Sequence, residues 1–306
     1  MLEKRFSISV ESDPLKIQEL FSKKKHVLSF ELSAPRDGNV DALFKTVEDL
    51  KKLRPDYISI TYGAGGSSRD MTFGIAVRLK AEGTLPLMHF TCVGHSRLEI
   101  KTLLDQVKAA GIENILALRG DPPKGQSSFV PAPDGFRYAN ELVQFIRDEG
   151  YDFSLGVAGY PEKHPEAKDF EEDLQNLKRK VDAGGQFIVT QLYFDNRDYF
   201  RYVQRVREMK ITVPVQPGIW LLTDYAQTKR ICDLCGAKIP LEIAARMEMV
   251  KDNREKMAQI GIEYATRQCD ELLAKGVPGI HFYVLNKSHV VQAVLENLKA
   301  KGWTFS

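Results

Sequence analysis

The sequence is poor in cysteine and has no excess of either charge. Four cysteines stand in 306 residues, too few for a disulfide framework, and a reducing, cytoplasmic setting is expected. Basic and acidic residues number 43 and 41, a formal net charge of +2. That balance argues against nucleic acid or a membrane surface as the main partner. There is no run of about 18 apolar residues, so no membrane span is expected. The opening stretch MLEKRFSISVESDP has no long apolar run and does not read as a secretory signal. Two nucleotide signatures are also missing. No GxGxxG follows a strand pattern and no GxxxxGK[ST] occurs, which argues against a Rossmann site and a P-loop.

What is present suits a soluble globular protein, with 43% hydrophobic and 27% charged residues. Short apolar runs alternate with longer amphipathic segments. The runs are 27–32, 57–62, 87–93, 114–118, 153–158, 187–193, 213–219 and 280–285. Helical patterns cover 40–53, 98–110, 139–149, 170–183 and 199–209, with an extra helix at 14–24. Segment 225–275 is longer than one crossover needs and should hold two or three helices, with a break at Gly236–Pro240. Repeated strand–helix units predict an α/β fold, a closed (β/α)8 TIM barrel with an added N-terminal helix and added helices before the last strand. A doubly wound open sheet is the alternative. No linker or low-complexity tract is visible, so residues 1–306 read as one catalytic domain.

The segments entering the strands are ordinary turns. Those leaving them are chemically rich: ELSAPRDG, TYGAGGSSRD, TCVGHS, LRGDPP, AGYPEKHPEA, QLYFDN, PGIWLLTDY and LNKSH. In a barrel all these exits share one face, where active sites of the fold lie. That asymmetry argues for an enzyme.

Strand parity sharpens one residue. In VLSFEL, Leu28, Phe30 and Leu32 form one row and Val27, Ser29 and Glu31 the other. The bulky row suits packing under helices, so Glu31 should point into the barrel mouth. Partial burial would raise its pKa and suit it to general-acid work. By itself Glu31 reads as readily as an ordinary strand-end charge paired with Arg36 or another base. Asp121, in LRGDPP, is a second acid on the same face, or a simple turn residue. His89, Cys92 and His95 have a suggestive metal spacing, but His89 and Cys92 differ by three and should face opposite sides of a strand. Cys232 and Cys235 form a lone CxxC in a helical segment, best read as half-buried thiols. Asp173, Asn176 and Lys180 recur at i, i+3 and i+7 beside Arg179. They form either a solvent face or a groove for an anionic ligand under AGYPEKHPEA.

Together, SFELSAPR, YISITYGAGGSSRD, HFTC, ALRGDPP, YPEKHPEA, NLKRKVDAG, TQLYFDN, PGI and FYVLN resemble the methylenetetrahydrofolate reductase family in its bacterial, single-domain form. The likeness runs from about Val27 to Leu298. It implies a barrel that binds FAD without a Rossmann fold. NADH or NADPH would reduce the flavin and leave. 5,10-Methylenetetrahydrofolate would then take the same place and become 5-methyltetrahydrofolate.

Position by position, the resemblance implies Glu31 as proton donor and Asp121 as the acid near flavin and pterin. Gln191 would hydrogen-bond both substrates. Thr61, Tyr62, Ala64, His89, Arg119, Gly120, Asp121 and Ala139 would contact the flavin. Tyr160, His164, Ala167, Asp173, Asn176, Arg179 and Lys180 would hold the rest of FAD. Thr61, Asp121, Tyr225 and Lys287 would meet the substrate, Tyr225 standing where some members have Phe and Lys287 where Arg is frequent. Trp220 and Leu221 look individual to this chain. No added regulatory domain, no metal, no nucleic acid and no membrane are expected. A homo-oligomer is expected, and an electron-transfer partner subunit stays open. The rival readings are a proline-dehydrogenase-like flavin barrel and a binding subunit fed with electrons by a partner.

Overall fold

The computed structural model describes residues 16–305 apart from 36, 63–68, 121–130 and 285. In chain order the elements are α1 (Ile17–Lys23), β1 (Val27–Leu32), α2 (Val40–Lys51), β2 (Tyr57–Ile60), α3 (Arg69–Ala81), β3 (Pro86–Thr91), α4 (Arg97–Ala109) and β4 (Asn114–Leu118). There follow α5 (Ala139–Asp148), β5 (Ser154–Gly159), α6 (Phe170–Asp182), β6 (Phe187–Thr190), α7 (Asn196–Glu208), β7 (Val215–Gln216) and β8 (Gly218–Trp220). The chain continues through α8 (Tyr225–Cys235), α9 (Leu241–Met249), α10 (Arg254–Ala274), β9 (Gly279–Tyr283) and α11 (Ser288–Ala300). The expected TIM-like α/β barrel is what forms, with α1 in front and three helices, α8 to α10, before the last strand. Gly236, at φ +78°, ends α8 where the break was expected.

Among the described residues nine strands pair in the order β7-β6-β5-β4-β3-β2-β1-β9-β8, all parallel. One more strand than expected appears because the run 213–219 is divided at Pro217. Below it, Val215 and Gln216 pair with β6. Above it, Gly218–Trp220 pair with β9. Proline has no N–H to give to a ladder, while its carbonyl still accepts from the His281 N–H at 2.9 Å. The seventh strand thus changes partner midway and closes the ring. Above Pro217 the wall between β6 and β8 has no ladder. There the Gly218 N–H donates to Thr190 Oγ1 (2.9 Å) and the Tyr283 hydroxyl donates to Thr190 O (2.7 Å). A Cβ on Gly218 would lie 2.3 Å from Thr190 O and 2.7 Å from the Tyr283 ring, so only glycine allows this seam.

Parity works as expected. Leu28, Phe30 and Leu32 pack with Leu43, Phe44 and Val47 of α2 in the shell between sheet and helices. Val27, Tyr57, Leu87, Leu116, Phe187 and Val189 fill the barrel interior, where Ile17 and Leu20 of α1 close its base. Helix α1 is fastened there by the Ile17 N–H to Asn114 Oδ1 (2.8 Å) and the Gln18 N–H to Ser154 Oγ (3.2 Å). The lower barrel is therefore sealed, and ligand access falls to the strand exits. No helix among the described residues is long and apolar enough to cross a membrane.

Candidate active site

The inward row of β1 continues upward as a polar column. The Tyr57 hydroxyl donates to Gln216 Oε1 (2.6 Å), and Gln216 Nε2 donates to Ser29 Oγ and to Val27 O, both at 3.1 Å. Ser29 Oγ lies 2.8 Å from His281 Nδ1, and His281 Nε2 lies 3.4 Å from Glu31 Oε2. Because Ser29 already accepts from Gln216, its own proton is available to Nδ1. That leaves the imidazole N–H on Nε2, aimed at the carboxylate. Ser59 Oγ donates to the same oxygen at 3.4 Å, and His89 Nε2 lies 3.3 Å away.

The expected high pKa of Glu31 is corrected here. Burial does push the carboxyl up, but attraction to the His89 ring 3.3 Å away and the hydrogen bond from His281 outweigh it and hold it down to about 2. In this ligand-free state Glu31 is a carboxylate. Its alternative partner, Arg36, lies outside the described residues.

Glu31 opens onto a cavity of about 420 Å³ at the barrel mouth. Thr61, Tyr62, His89, Arg119, Gly120, Tyr160, His164 and Gln191 line it, together with Thr91, Leu192, Trp220 and Tyr283. Gln191 Oε1 accepts from the Leu192 N–H (2.8 Å), which fixes the amide and leaves its NH2 open to a ligand. Thr91 Oγ1 is buried with no hydrogen-bond partner among the described residues, an unmet polar group that a ligand could satisfy.

A second cavity of about 500 Å³ adjoins it and shares Leu118, Arg119, Ala158, Tyr160 and His164. Its walls hold Ala139, Ala167, Asp173, Asn176, Arg179 and Lys180, so the polar stripe of α6 is a groove wall. Lys180 Nζ donates to Ala158 O (2.5 Å); burial lowers its pKa to about 8 against the pull of Asp173. Burial raises the Asp173 carboxyl, opposed by Lys180. Arg179 donates to Asn176 Oδ1 (2.6 Å). Where the two cavities meet, Arg119 grips Glu166 with both terminal guanidinium nitrogens (2.5 and 2.7 Å). The Tyr160 and His164 rings meet edge-on with centroids 4.7 Å apart.

Some expected residues are not brought to this wall. Ala64 and Asp121 lie outside the described residues. Tyr225 packs half-buried into a cluster with Trp220, Cys232 and Met247. Lys287 donates to Thr223 Oγ1 (2.9 Å), and burial lowers its pKa. Neither lines the cavity. His89 faces the cavity while Cys92 is buried in the outer shell, so the two share no metal. Cys232 is buried and Cys235 half-buried; burial raises both thiols, Cys232 to about 12.

The sequence reading missed Ser29, Ser59, His281 and Tyr283 as site residues. Parity offered a signal: Ser29 shares the row of Glu31, and His281 and Tyr283 alternate along the last apolar run. Glu166 lay inside YPEKHPEA, but nothing paired it with Arg119.

The family model described as Methylenetetrahydrofolate reductase matches residues 16–299. The chain is 39% identical over 295 residues to the "Probable methylenetetrahydrofolate reductase (NADH)" of Oryza sativa subsp. japonica, covering 92% of this chain and 50% of that protein. It is 35% identical over 273 residues to the "5,10-methylenetetrahydrofolate reductase" of Escherichia coli (strain K12), covering 89% of this chain and 90% of that protein. The chain thus spans about half the length of the plant relatives it matches. Among solved structures, an uncharacterized protein from Clostridium thermocellum that binds two copies of 5-methyl-5,6,7,8-tetrahydrofolic acid superposes with a TM-score of 0.63 at 14% identity, covering 94% of this chain and 99% of that one. An oxaloacetate acetylhydrolase superposes with a TM-score of 0.53 at 11% identity, covering 94% and 87%. At such identities the likeness is one of fold.

Proposed function

The chain belongs to the methylenetetrahydrofolate reductase family, and from that premise we propose that it reduces 5,10-methylenetetrahydrofolate to 5-methyltetrahydrofolate with electrons from NADH or NADPH, carried through FAD. The observation that carries the reading is a carboxylate held at the barrel mouth by two histidines, facing a cavity continuous with a groove that carries cations. We read residues 1–306 as one catalytic unit working in the cytoplasm.

The residues present fit FAD. The two joined cavities make an elongated channel of the size ligand sites occupy. Lys180 and Arg179 supply positive charge for phosphates, and Thr91 Oγ1 offers an unpaired hydroxyl deep in the channel. Gly120, at φ +93°, packs so close that a Cβ would lie 2.5 Å from Val93, which keeps the channel wall thin. Arg119, Tyr160, His164, Asp173 and Asn176 would hold the cofactor beside them. When bound, FAD supplies the relay that accepts a hydride from nicotinamide and gives it to the one-carbon unit.

The chain's own contribution is a proton. Opening the folate's five-membered ring requires protonation of an amine nitrogen, and Glu31, which lines the cavity, would carry it. His281, oriented by Ser29, keeps the carboxylate aimed at the mouth. Folate entering the cavity would exclude water and strengthen the burial that pushes the Glu31 pKa up. Glu31 would then take a proton as the substrate seats. The NH2 of Gln191 would orient the pterin from the opposite wall.

The test is spectroscopic. Purified protein should be yellow. Its flavin absorbance should bleach with NADH or NADPH under anaerobic conditions and return on adding methylenetetrahydrofolate. A colourless protein that takes up no FAD refutes the reading.

A further inference from the structure

Three adjacent strands bring unlike residues to one level of the mouth. Trp220 on β8 is in register with Tyr283 on β9, and Tyr283 is in register with Glu31 on β1. All three side chains line the same cavity. The Trp220 and Tyr283 rings lie with centroids 6.2 Å apart, inclined by 46°. They stand beside the seam between β6 and β8 where Pro217 interrupts the ladder, with Leu192 from the β6 exit packed against the indole.

The polar end of the indole is already used. Nε1 donates to Thr228 Oγ1 (3.0 Å), and that hydroxyl donates to Asp224 O (2.7 Å). Trp220 is 6% exposed. Towards the cavity it therefore offers apolar ring surface and no donor. Such a wall suits a planar, aromatic ligand, and its attraction grows with the ring area laid against it. The reacting ends of the two alternating substrates differ in this respect, since the folate carries a fused bicycle, an aromatic pyrimidine joined to a saturated ring, and nicotinamide a single ring. The level of Trp220 is also that of Glu31, whose proton only the folate needs.

We propose that Trp220 is a specificity-determining residue that sets the affinity for the pterin ring of the folate more than for nicotinamide, and so balances the two substrates competing for one cavity. This rests on the function proposed above. It concerns a residue that interacts with the substrate's ring and leaves the proton chemistry to Glu31.

The test is anaerobic stopped-flow of both half-reactions in FAD-loaded wild type, Trp220→Leu and Trp220→Phe. In Trp220→Leu the folate concentration for half-maximal flavin reoxidation should rise about threefold to tenfold. The nicotinamide concentration for half-maximal flavin reduction should move by no more than about twofold. Trp220→Phe keeps a ring and should show a smaller shift of the same sign. If Trp220→Leu does not fold, the sign and selectivity of the Phe shift decide. An unchanged folate constant, or equal shifts for both substrates, overturns the role of Trp220. Wild-type flavin that nicotinamide does not bleach, or that folate does not reoxidise, overturns the functional reading instead.

Discussion

Replacing Glu31 by Gln probes the site most directly. The exchange keeps the volume and the hydrogen-bonding end of the side chain but cannot carry the proton. Glu31 Oε2 has three partners at 3.3 to 3.4 Å, namely His89, His281 and Ser59. Its carboxyl is held well below the usual range, so in the ligand-free protein at pH 7 it is ionised. As a proton donor it would therefore take up its proton as folate binds. A positioned general acid contributes about 10²- to 10⁴-fold. Glu31→Gln should therefore slow flavin reoxidation by methylenetetrahydrofolate by about that factor, while flavin reduction by nicotinamide stays within about threefold. Rapid mixing of each half-reaction measures both. Equal loss in the two half-reactions would refute the proton role. Stability gives an independent check. The Glu31 pKa falls on folding from 4.5 to about 2, so its ionisation stabilises the fold fully above about pH 4.5, and that contribution is lost as the pH falls towards 2. The urea-unfolding difference between wild type and Glu31→Gln should narrow on acidification over that window.

Lys180 predicts a pH dependence of cofactor binding. Its pKa near 8 leaves it cationic below that pH and neutral above it, so FAD affinity of the apoprotein should fall as the pH rises through about 8. Lys180→Met should bind FAD weakly throughout and lose the step, as read by quenching of flavin fluorescence. Gly159 predicts a stability effect. A Cβ there would lie 2.1 Å from the Tyr202 hydroxyl and 2.8 Å from Ile188 Cγ2. Gly159→Ala should cost about 1–3 kcal/mol of unfolding free energy. Tyr202→Phe removes a buried hydroxyl that has no hydrogen-bond partner among the described residues, so alone it should be nearly neutral. Combined with Gly159→Ala, it should recover part of the loss, and strict additivity in urea titrations would count against the packing argument.

Much of the fold was legible because its signals are local. Strand runs alternate with helical ones, the period of two in VLSFEL sends Glu31 inward, and the spacing of Asp173, Asn176 and Lys180 keeps them on one helix face. The richness of the strand exits located the working end of the barrel before any geometry. The divided seventh strand was less visible. Pro217 was plain in the sequence, but its ability to trade β6 for β9 depends on both neighbours being in place. Tyr225 and Lys287 show the reverse limit: resemblance put them at the substrate, whereas packing into a helical cluster and a bond to Thr223 keep them off the cavity wall.

The sequence by itself determined which residues face the barrel interior, because side-chain direction follows from strand and helix periods. It also determined the family, because the motifs stand in order along nearly the whole chain. Only the tertiary structure decided the charge state of Glu31. Its chief partners are 58 and 250 positions away, on β3 and β9, and only closure of the barrel brings His89 and His281 to the same oxygen. Burial alone pushes that carboxyl up; the His89 ring at 3.3 Å and the hydrogen bond from His281 at 3.4 Å pull it down further, because such contacts are strong in a poorly hydrated site.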